Sequence, residues 1–460
     1  MHSRTRPLLQ LRPSLSFALM LALLAVLWVA GGASRADTLG QVIVRGAAWL
    51  SLIVVALAGD RPVWGNVRPV VLFLLIALLL VLLQLVPLPP AVWQALPGRD
   101  GFLGATLPGE TPPWRPLALV PGAAWNAAAS LVVPIAMLVL VAGSSERELS
   151  RMPAVLLGMV ALQAVIGLLQ FSGAGFSNPF VNDTPGQVSG TFANRNHFAL
   201  FLAIGCVLAP VWAFGDGRRP HWRGPVAIGL ILLFALTILA SGSRAGMALG
   251  MLALCLGTWL SFRPLRRELR HYPRWVMPVS IVTVVTMIVG LILLSVAADR
   301  AASITRIITS EGGEDLRTRA LPTILAMIKT YFPAGSGFGG FEPLFRVQEP
   351  NQLLKLTYFN HAHNDFLETV LSGGIPGLLL LMAAVTWWGV ASIRAWRVPD
   401  GAIYSRLGSA LLLLVFAASV VDYPARTPMV MALIVVSAAW LSSGGKLSSR
   451  SALPRDSQQL

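Results

Sequence analysis

Residues 69–88, PVVLFLLIALLLVLLQLVPL, decide the fold, because this stretch holds no Asp, Glu, Lys or Arg. A helix needs about 20 predominantly apolar residues to cross the hydrocarbon core of a bilayer, and in lipid it satisfies every backbone N–H and C=O internally. Outward from this stretch the pattern recurs near 15–33, 39–59, 124–143, 152–171, 193–214, 225–241, 245–262, 275–297, 375–393, 404–421 and 427–442. The spacing predicts an all-α polytopic membrane protein of about twelve transmembrane helices. Residues 1–460 read as a single transmembrane domain.

Bulk composition agrees: 55% of the 460 residues are apolar and only 12% are charged, a balance foreign to a water-soluble globule. The formal charge of +15 comes from short basic clusters between apolar runs, where membrane topology is the usual cause. Nucleic acid is therefore discounted as a partner, and membrane lipids are the expected surroundings. Cys206 and Cys255 both lie inside apolar runs, which excludes a disulfide framework or a zinc ribbon and leaves packing as their role. The first run follows Arg4, Arg6 and Arg12 and precedes a weak cleavage-like Ala33-Ser34-Arg35-Ala36, but its length of about 19 residues suits a span.

Orientation follows from the basic clusters Arg218, Arg219, Arg223 and Arg263, Arg266, Arg267, Arg270, Arg274, which belong on the inside if the N-terminus does. The long loop at 298–373 then lies outside. It is too short for an independent enzyme domain, so any chemistry it carries leans on the helical body. A second outer loop, 87–122, is rich in Pro and Gly and reads as irregular cover over the membrane surface.

Several polar motifs punctuate the outer side. Residues 314–331 read as an amphipathic helix with Leu316, Ala320, Leu321, Ile324, Leu325 and Ile328 on one face, despite Pro322. On that wheel Arg317 points into the apolar face and Arg319 toward water. An inward guanidinium needs an anion, although an arginine snorkelling to lipid headgroups explains the position as well. Ser241-Gly242-Ser243-Arg244-Ala245-Gly246 is a tight connection that holds Arg244 close to the membrane, as an anion ligand or an interfacial anchor. Gly190-Thr191-Phe192-Ala193-Asn194-Arg195-Asn196-His197 places Arg195 and two asparagines at the headgroup level; helix capping is the plainer use of the asparagines.

His361-Ala362-His363-Asn364-Asp365 precedes the tenth span. If a helix begins there, His363 shares a face with Phe366, Leu367 and Val370 at the water–lipid boundary, where a neutral imidazole is a natural general base. The alternative is a solvated loop histidine. His-x-His-x-Asp also resembles metallohydrolase sites, yet the rest of such a ligand set is missing: of the other histidines, His2, His221 and His271 fall on the inner side. The reading calls for no metal and no cofactor. Gly335-Ser336-Gly337-Phe338-Gly339-Gly340 lacks a βαβ context and reads as a turn whose N–H groups form at best a weak anion-binding concavity. The chain carries no Walker sequence and no Asp-x-Asp pair, so an outer-face transfer needs a donor already activated in the membrane.

Taken in order, the 190–197 motif, Ser243-Arg244-Ala245-Gly246, the segment from Arg317 to Pro333, the 335–339 glycines, and His361 to Leu367 followed by Gly374-Ile375-Pro376-Gly377 resemble the O-antigen ligase and polymerase family over residues 150–390. The resemblance implies a glycosyltransferase-C-like, metal-independent, inverting enzyme. It implies a bacterial inner-membrane, multi-pass location, an active site facing the periplasm, and an undecaprenyl-diphosphate-linked glycan as donor. The lipid A core, a growing carrier-linked glycan and a protein all remain open as acceptor, since the sequence does not choose among them. Carried across, Arg244 and Arg317 hold the diphosphate and His363 is the base, with Arg195, Arg319, His361 and Asp365 completing the candidate substrate-binding set. The helical wheel favours Arg317 over Arg319. A transporter or flippase of lipid-linked glycan is the rival reading, since about twelve helices suit it, but central charges are few and Arg45 is the main one.

Overall fold

The computed structural model describes residues 13–105, 111–182, 184–214, 221–270, 273–275, 278–279, 282–283, 285–287, 289–290, 293, 313–354, 358–398 and 403–443. The expected span at 275–297 lies largely outside the described residues, as do Arg218, Arg219 and the loop residues 298–312.

The principal helices are α1 (Leu15–Ala30), α2 (Leu39–Ala58), α3 (Arg68–Leu83), α4 (Pro121–Ser130), α5 (Val132–Gly143), α6 (Met152–Phe171) and α7 (Arg195–Phe214). They continue as α8 (Arg223–Ala240), α9 (Arg244–Leu269), α10 (Gly313–Tyr331), α11 (Phe341–Gln348), α12 (Asp365–Arg397), α13 (Ile403–Ser419) and α14 (Pro428–Ser442). Among the described residues, seven helical stretches are long and apolar enough to cross a membrane, with α4 and α5 acting as one; α1, α3, α13 and α14 are apolar but shorter. The expected count of about twelve is therefore not reached among the described residues. Nearly all of α7 is buried, so it forms the centre of the bundle, against α6, α8, α9 and α13. By contrast α2 leaves Trp49, Leu50, Ile53 and Leu57 exposed, a surface that only lipid makes tolerable.

Local chemistry explains where helices depart from the apolar pattern. The expected span at 124–143 breaks at Leu131, because Pro134 removes an N–H and crowds the carbonyl of Ser130 one turn back. In the opening stretch, α3 stops at Leu83, since Pro87 four residues on has no N–H for the Leu83 carbonyl, and the next residue is Gln84. Its Nε2 donates to the Ser372 carbonyl at 3.0 Å and its Oε1 accepts from the Phe338 N–H at 3.0 Å.

Helix α12 starts ten residues before the expected span at 375–393 and is interrupted at Gly374, whose φ of 57° is left-handed. Only glycine fits there, since a Cβ would stand 2.1 Å from the Pro333 carbonyl oxygen. The 335–340 run docks into this break: Ser336 N donates to Leu371 O and Gly337 N to Ser372 O, at 2.9 and 3.0 Å. With these N–H groups taken, the run is a clasp and not the anion-binding concavity considered from the sequence.

Beneath the loop a second apolar cluster gathers Ala320, Ile324, Met327 and Tyr331 of α10 with Phe341, Leu344 and Phe345 of α11. The buried stripe follows i, i+4, i+7, i+11, as an amphipathic helix requires. It is narrower than the expected face, because Leu321 and Leu325 stay exposed.

The loop at 87–122 is more than cover. Its short strands Pro87–Leu88 and Arg115–Pro116 pair antiparallel, and they frame Arg99, which is fully buried. Arg99 donates to the carbonyls of Leu117 (2.8 Å), Gly335 (3.2 Å) and Pro97 (3.3 Å), fastening this loop to the 335–340 clasp. Burial lowers its pKa to about 10, which still leaves it charged at neutral pH. Arg99→Met keeps the bulk but strands buried carbonyls, so the protein should lose about 1–3 kcal/mol, read as a lower thermal midpoint in detergent. An unchanged midpoint would show that the clasp holds without it.

Candidate functional site

One end of the bundle collects the C-terminus of α1 and the N-termini of α7, α9, α12 and α14, tied together by backbone bonds such as Ala193 N to Gly32 O (3.1 Å) and Met429 N to Gly31 O (3.1 Å). At its centre lies Asp422, in the short connection between α13 and α14, with 1% of its surface exposed. A buried carboxylate survives only when its lone pairs are filled. Here Asn194 Nδ2 (3.1 Å) and Asn196 Nδ2 (2.6 Å) donate to Oδ2, and Tyr423 N (3.0 Å) and His363 Nδ1 (3.2 Å) to Oδ1. Burial alone would raise its pKa, but the neighbouring histidines His197 and His363 outweigh that and hold it well below the ordinary carboxylate range. Asp422 is therefore an anion and purely an acceptor.

That state assigns the His363 tautomer: Nδ1 carries the hydrogen given to Asp422, and Nε2 keeps its lone pair. Nδ1 is the ring nitrogen that meets Asp422, which leaves Nε2 on the far side of the ring from that carboxylate. Burial, reinforced by the charge of Arg317, lowers the imidazole's pKa in spite of the bond to Asp422, so the ring is neutral at pH 7. His363 does not sit on a helical face as expected. Its φ of 50° is left-handed, and Asn364 caps α12 by accepting from Leu367 N at 2.9 Å, which leaves His363 just outside the helix. A non-glycine residue held in this conformation costs about 1–3 kcal/mol and persists only where its surroundings enforce it. The enforcing contacts include Asp422 and the rings of Tyr423 (4.9 Å between centroids) and Phe359 (5.9 Å).

Of the two candidate arginines in α10, Arg317 brings Nη2 to 3.7 Å from Asp422 Oδ2 and Nη1 to 3.4 Å from the Val421 carbonyl. Arg319 turns away, to the Gln352 carbonyl at 3.4 Å. Arg195, first residue of α7, lies within electrostatic range of both Arg317 and Arg244. Arg244 opens α9 behind its N-cap Ser243, whose Oγ accepts from Gly246 N (2.8 Å) and donates to Asn196 Oδ1 (2.6 Å). Gly246 cannot be larger, since a Cβ there would meet that of Ala199 at 2.3 Å; this close approach of α7 and α9 brings Arg195 and Arg244 together. Arg317 thus meets the Asp422 carboxylate, and Arg195 stands within electrostatic range of both Arg317 and Arg244, so three guanidiniums gather at this end of the bundle.

A second layer supports the first. His361 Nδ1 bonds Glu368 Oε1 at 3.0 Å, and its ring packs 4.4 Å from that of Tyr423, on which His363 also rests. Arg426 bridges Glu368 Oε1 (3.2 Å) and Asp365 Oδ1 (3.1 Å). Asp365, a candidate substrate ligand from the sequence, spends its other oxygen on Ser419 Oγ (2.9 Å) and Ala425 N (3.1 Å), so it anchors the connection that carries Asp422. Burial pushes the Tyr423 hydroxyl up to about 12, which keeps it a neutral donor.

Asp422, Tyr423, Arg426 and Glu368 escaped the sequence reading. The signal for the first three was a short span-to-span connection, Val420-Val421-Asp422-Tyr423-Pro424-Ala425-Arg426, with an acid and a base where an apolar run ends. Among the described residues, no group of three His, Cys, Asp or Glu side chains is arranged to hold a metal.

The fold and this cluster define a class: an almost wholly helical, multi-pass membrane protein with a polar site of histidine, carboxylate and arginines at one end of its bundle. Residues 228–382 match the O-antigen ligase family model. The matched stretch includes Arg244, Arg317 and His363, while Arg195 and Asp422 lie on either side of it. No curated protein matches the chain.

Proposed function

We propose that the protein is an inverting glycosyltransferase of the bacterial inner membrane, its site facing the periplasm. It moves a glycan from an undecaprenyl-diphosphate carrier to an acceptor hydroxyl of the lipid A core or of another carrier-linked glycan. The observation that carries this reading is the sharing of Asp422 by a neutral imidazole, His363, and a guanidinium, Arg317.

In the transfer, His363 Nε2 takes the acceptor's proton while the acceptor oxygen attacks the anomeric carbon. The bond from that carbon to the diphosphate breaks on the opposite face, and its electron pair leaves with the diphosphate. Asp422 holds the imidazole in the required tautomer and stabilises the imidazolium as it forms. Arg317, Arg244 and Arg195 supply the charge that the departing diphosphate needs, strongest where water is scarce. His361 supports the site from its loop side through Glu368, Arg319 is turned from it toward Gln352, and Asp365 is a positioning residue.

The two α10 arginines give a direct test with purified protein, carrier-linked glycan and acceptor. Arg317→Ala should lower kcat by about a hundredfold or more, as removal of a charged transition-state ligand does, whereas Arg319→Ala should stay within about threefold. Equal losses in the two variants would remove Arg317 from the diphosphate site. Loss of wild-type transfer on adding chelator would replace arginine with metal as the counter-charge.

A further inference from the structure

At the same end of the bundle, a cleft of about 260 Å³ opens between the α1–α2 connection and the segment after α6. Arg35, Asp37, Thr38, Leu39, Phe180 and Asn182 line it. Its volume falls just below the roughly 300 Å³ at which pockets for drug-sized ligands begin, which suits one sugar ring.

The walls are set in advance by bonds that owe nothing to a ligand. Gly40 N donates to Phe180 O at 3.0 Å, Thr38 Oγ1 to Arg35 O at 3.0 Å, and Asn178 Nδ2 to Val29 O at 2.7 Å. Arg35 grips Asp37 through two parallel bonds, from Nε to Oδ1 at 2.9 Å and from Nη2 to Oδ2. The pair leaves 62% of the Asp37 side chain open, so the carboxylate retains lone pairs for another donor. Rigid walls of this kind lower the ordering cost of binding.

The cleft is also coupled to the chemistry. The Arg35 guanidinium lies 5.3 Å from the ring centroid of Tyr358, and Arg346 lies 4.3 Å from the same centroid. Tyr358 adjoins Phe359, which packs edge-on against His363. On the other flank Gly32, three residues before Arg35, binds Ala193, the neighbour of an Asp422 ligand.

We propose that this cleft binds an uncharged pyranose of the glycan. Asp37 accepts from adjacent ring hydroxyls, Asn182 and Arg35 donate to ring oxygens, and Phe180 and Leu39 meet the apolar C–H face. The Asp37 charge, already partnered with Arg35, turns away phosphate, and the polar lining turns away a lipid tail. That the bound sugar belongs to a transferred glycan rests on the transferase reading; that the cleft binds a sugar does not.

The test uses the full chain in lipid nanodiscs and saturation-transfer NMR against methyl glycosides of glucose, galactose, mannose and N-acetylglucosamine. At least one should receive saturation from the wild type, and Asp37→Ala and Asn182→Ala should each weaken that sugar's binding about fivefold, the size of one lost hydrogen bond. His363→Ala should keep the full sugar signal while losing transfer. Thermal midpoints equal to the wild type show that the cleft variants fold, with Asp37→Asn as the conservative companion. Silence from the whole panel, or equal signals from wild type and both cleft variants, would overturn the proposal whether or not transfer proceeds. Sugar binding that persists in a wild-type protein unable to transfer would instead sink the transferase reading and leave the cleft standing.

Discussion

His363→Ala should abolish glycan transfer to within assay limits, a loss of about 10²–10⁴ in kcat, the range that a positioned general base contributes. KM should change little, because the imidazole serves the bond-making step more than binding. The pH profile carries the sharper form of this expectation. Burial and the charge of Arg317 lower the imidazole's pKa beneath its ordinary 6.5. The neutral base thus predominates at pH 7, and kcat/KM should fall as pH drops through a value below 6.5. Stability follows the same sign, since a buried neutral imidazole of depressed pKa stabilises the fold above its unfolded pKa and loses that contribution as pH falls through the folded one. Arg317→Ala removes the cation and should move the acidic limb upward. A limb above 6.5 in the wild type, or full activity in His363→Ala, would give the base role to another group.

Asp422→Asn should cost nearly as much in activity and more in stability. The amide is isosteric but can no longer accept from every side, whereas Asn194, Asn196, Tyr423 N and His363 all direct donors at the native carboxylate. With one oxygen replaced by NH₂, some donors lose their acceptor and the imidazole is free to choose the wrong tautomer. Loss of a comparable orienting carboxylate costs about 10⁴ in kcat in serine proteases, which sets the scale. Removing one charge from a buried set of opposite charges destabilises by about 3–5 kcal/mol; the lower end applies here, since Arg317 is partly exposed. Transfer kinetics and a detergent melting curve measure the two effects separately. Wild-type kcat in Asp422→Asn would show that His363 needs no carboxylate partner.

Membership of a class was legible in the chain itself. Apolar runs declare membrane helices because a bilayer admits few other structures, and the order of short motifs from Gly190 to Gly377 resembles that of a family whose model matches residues 228–382. Helix ends were less legible, because a proline can break a helix or be carried within it: Pro134 splits α4 from α5, whereas Pro322 stays inside α10. The expected helical face for His363 failed for a similar reason. Periodicity cannot anticipate that Asn364 caps the helix and leaves the preceding residue outside it, in a left-handed turn.

The centre of the site shows the division most clearly. From residues 69–88 outward, the amino-acid order alone determines a membrane-embedded helical bundle and nominates His363, Arg244 and Arg317, since hydrophobic transfer and charge placement are properties of local sequence. It gives no notice of Asp422, which lies 59 residues beyond His363. Its role arises from α7, α9, α12 and α14 starting at one end of the bundle, so that donors distant in the chain converge on one carboxylate. Folding decides such a meeting, because a buried charge is tolerable only where the packed helices bring its partners within hydrogen-bonding distance.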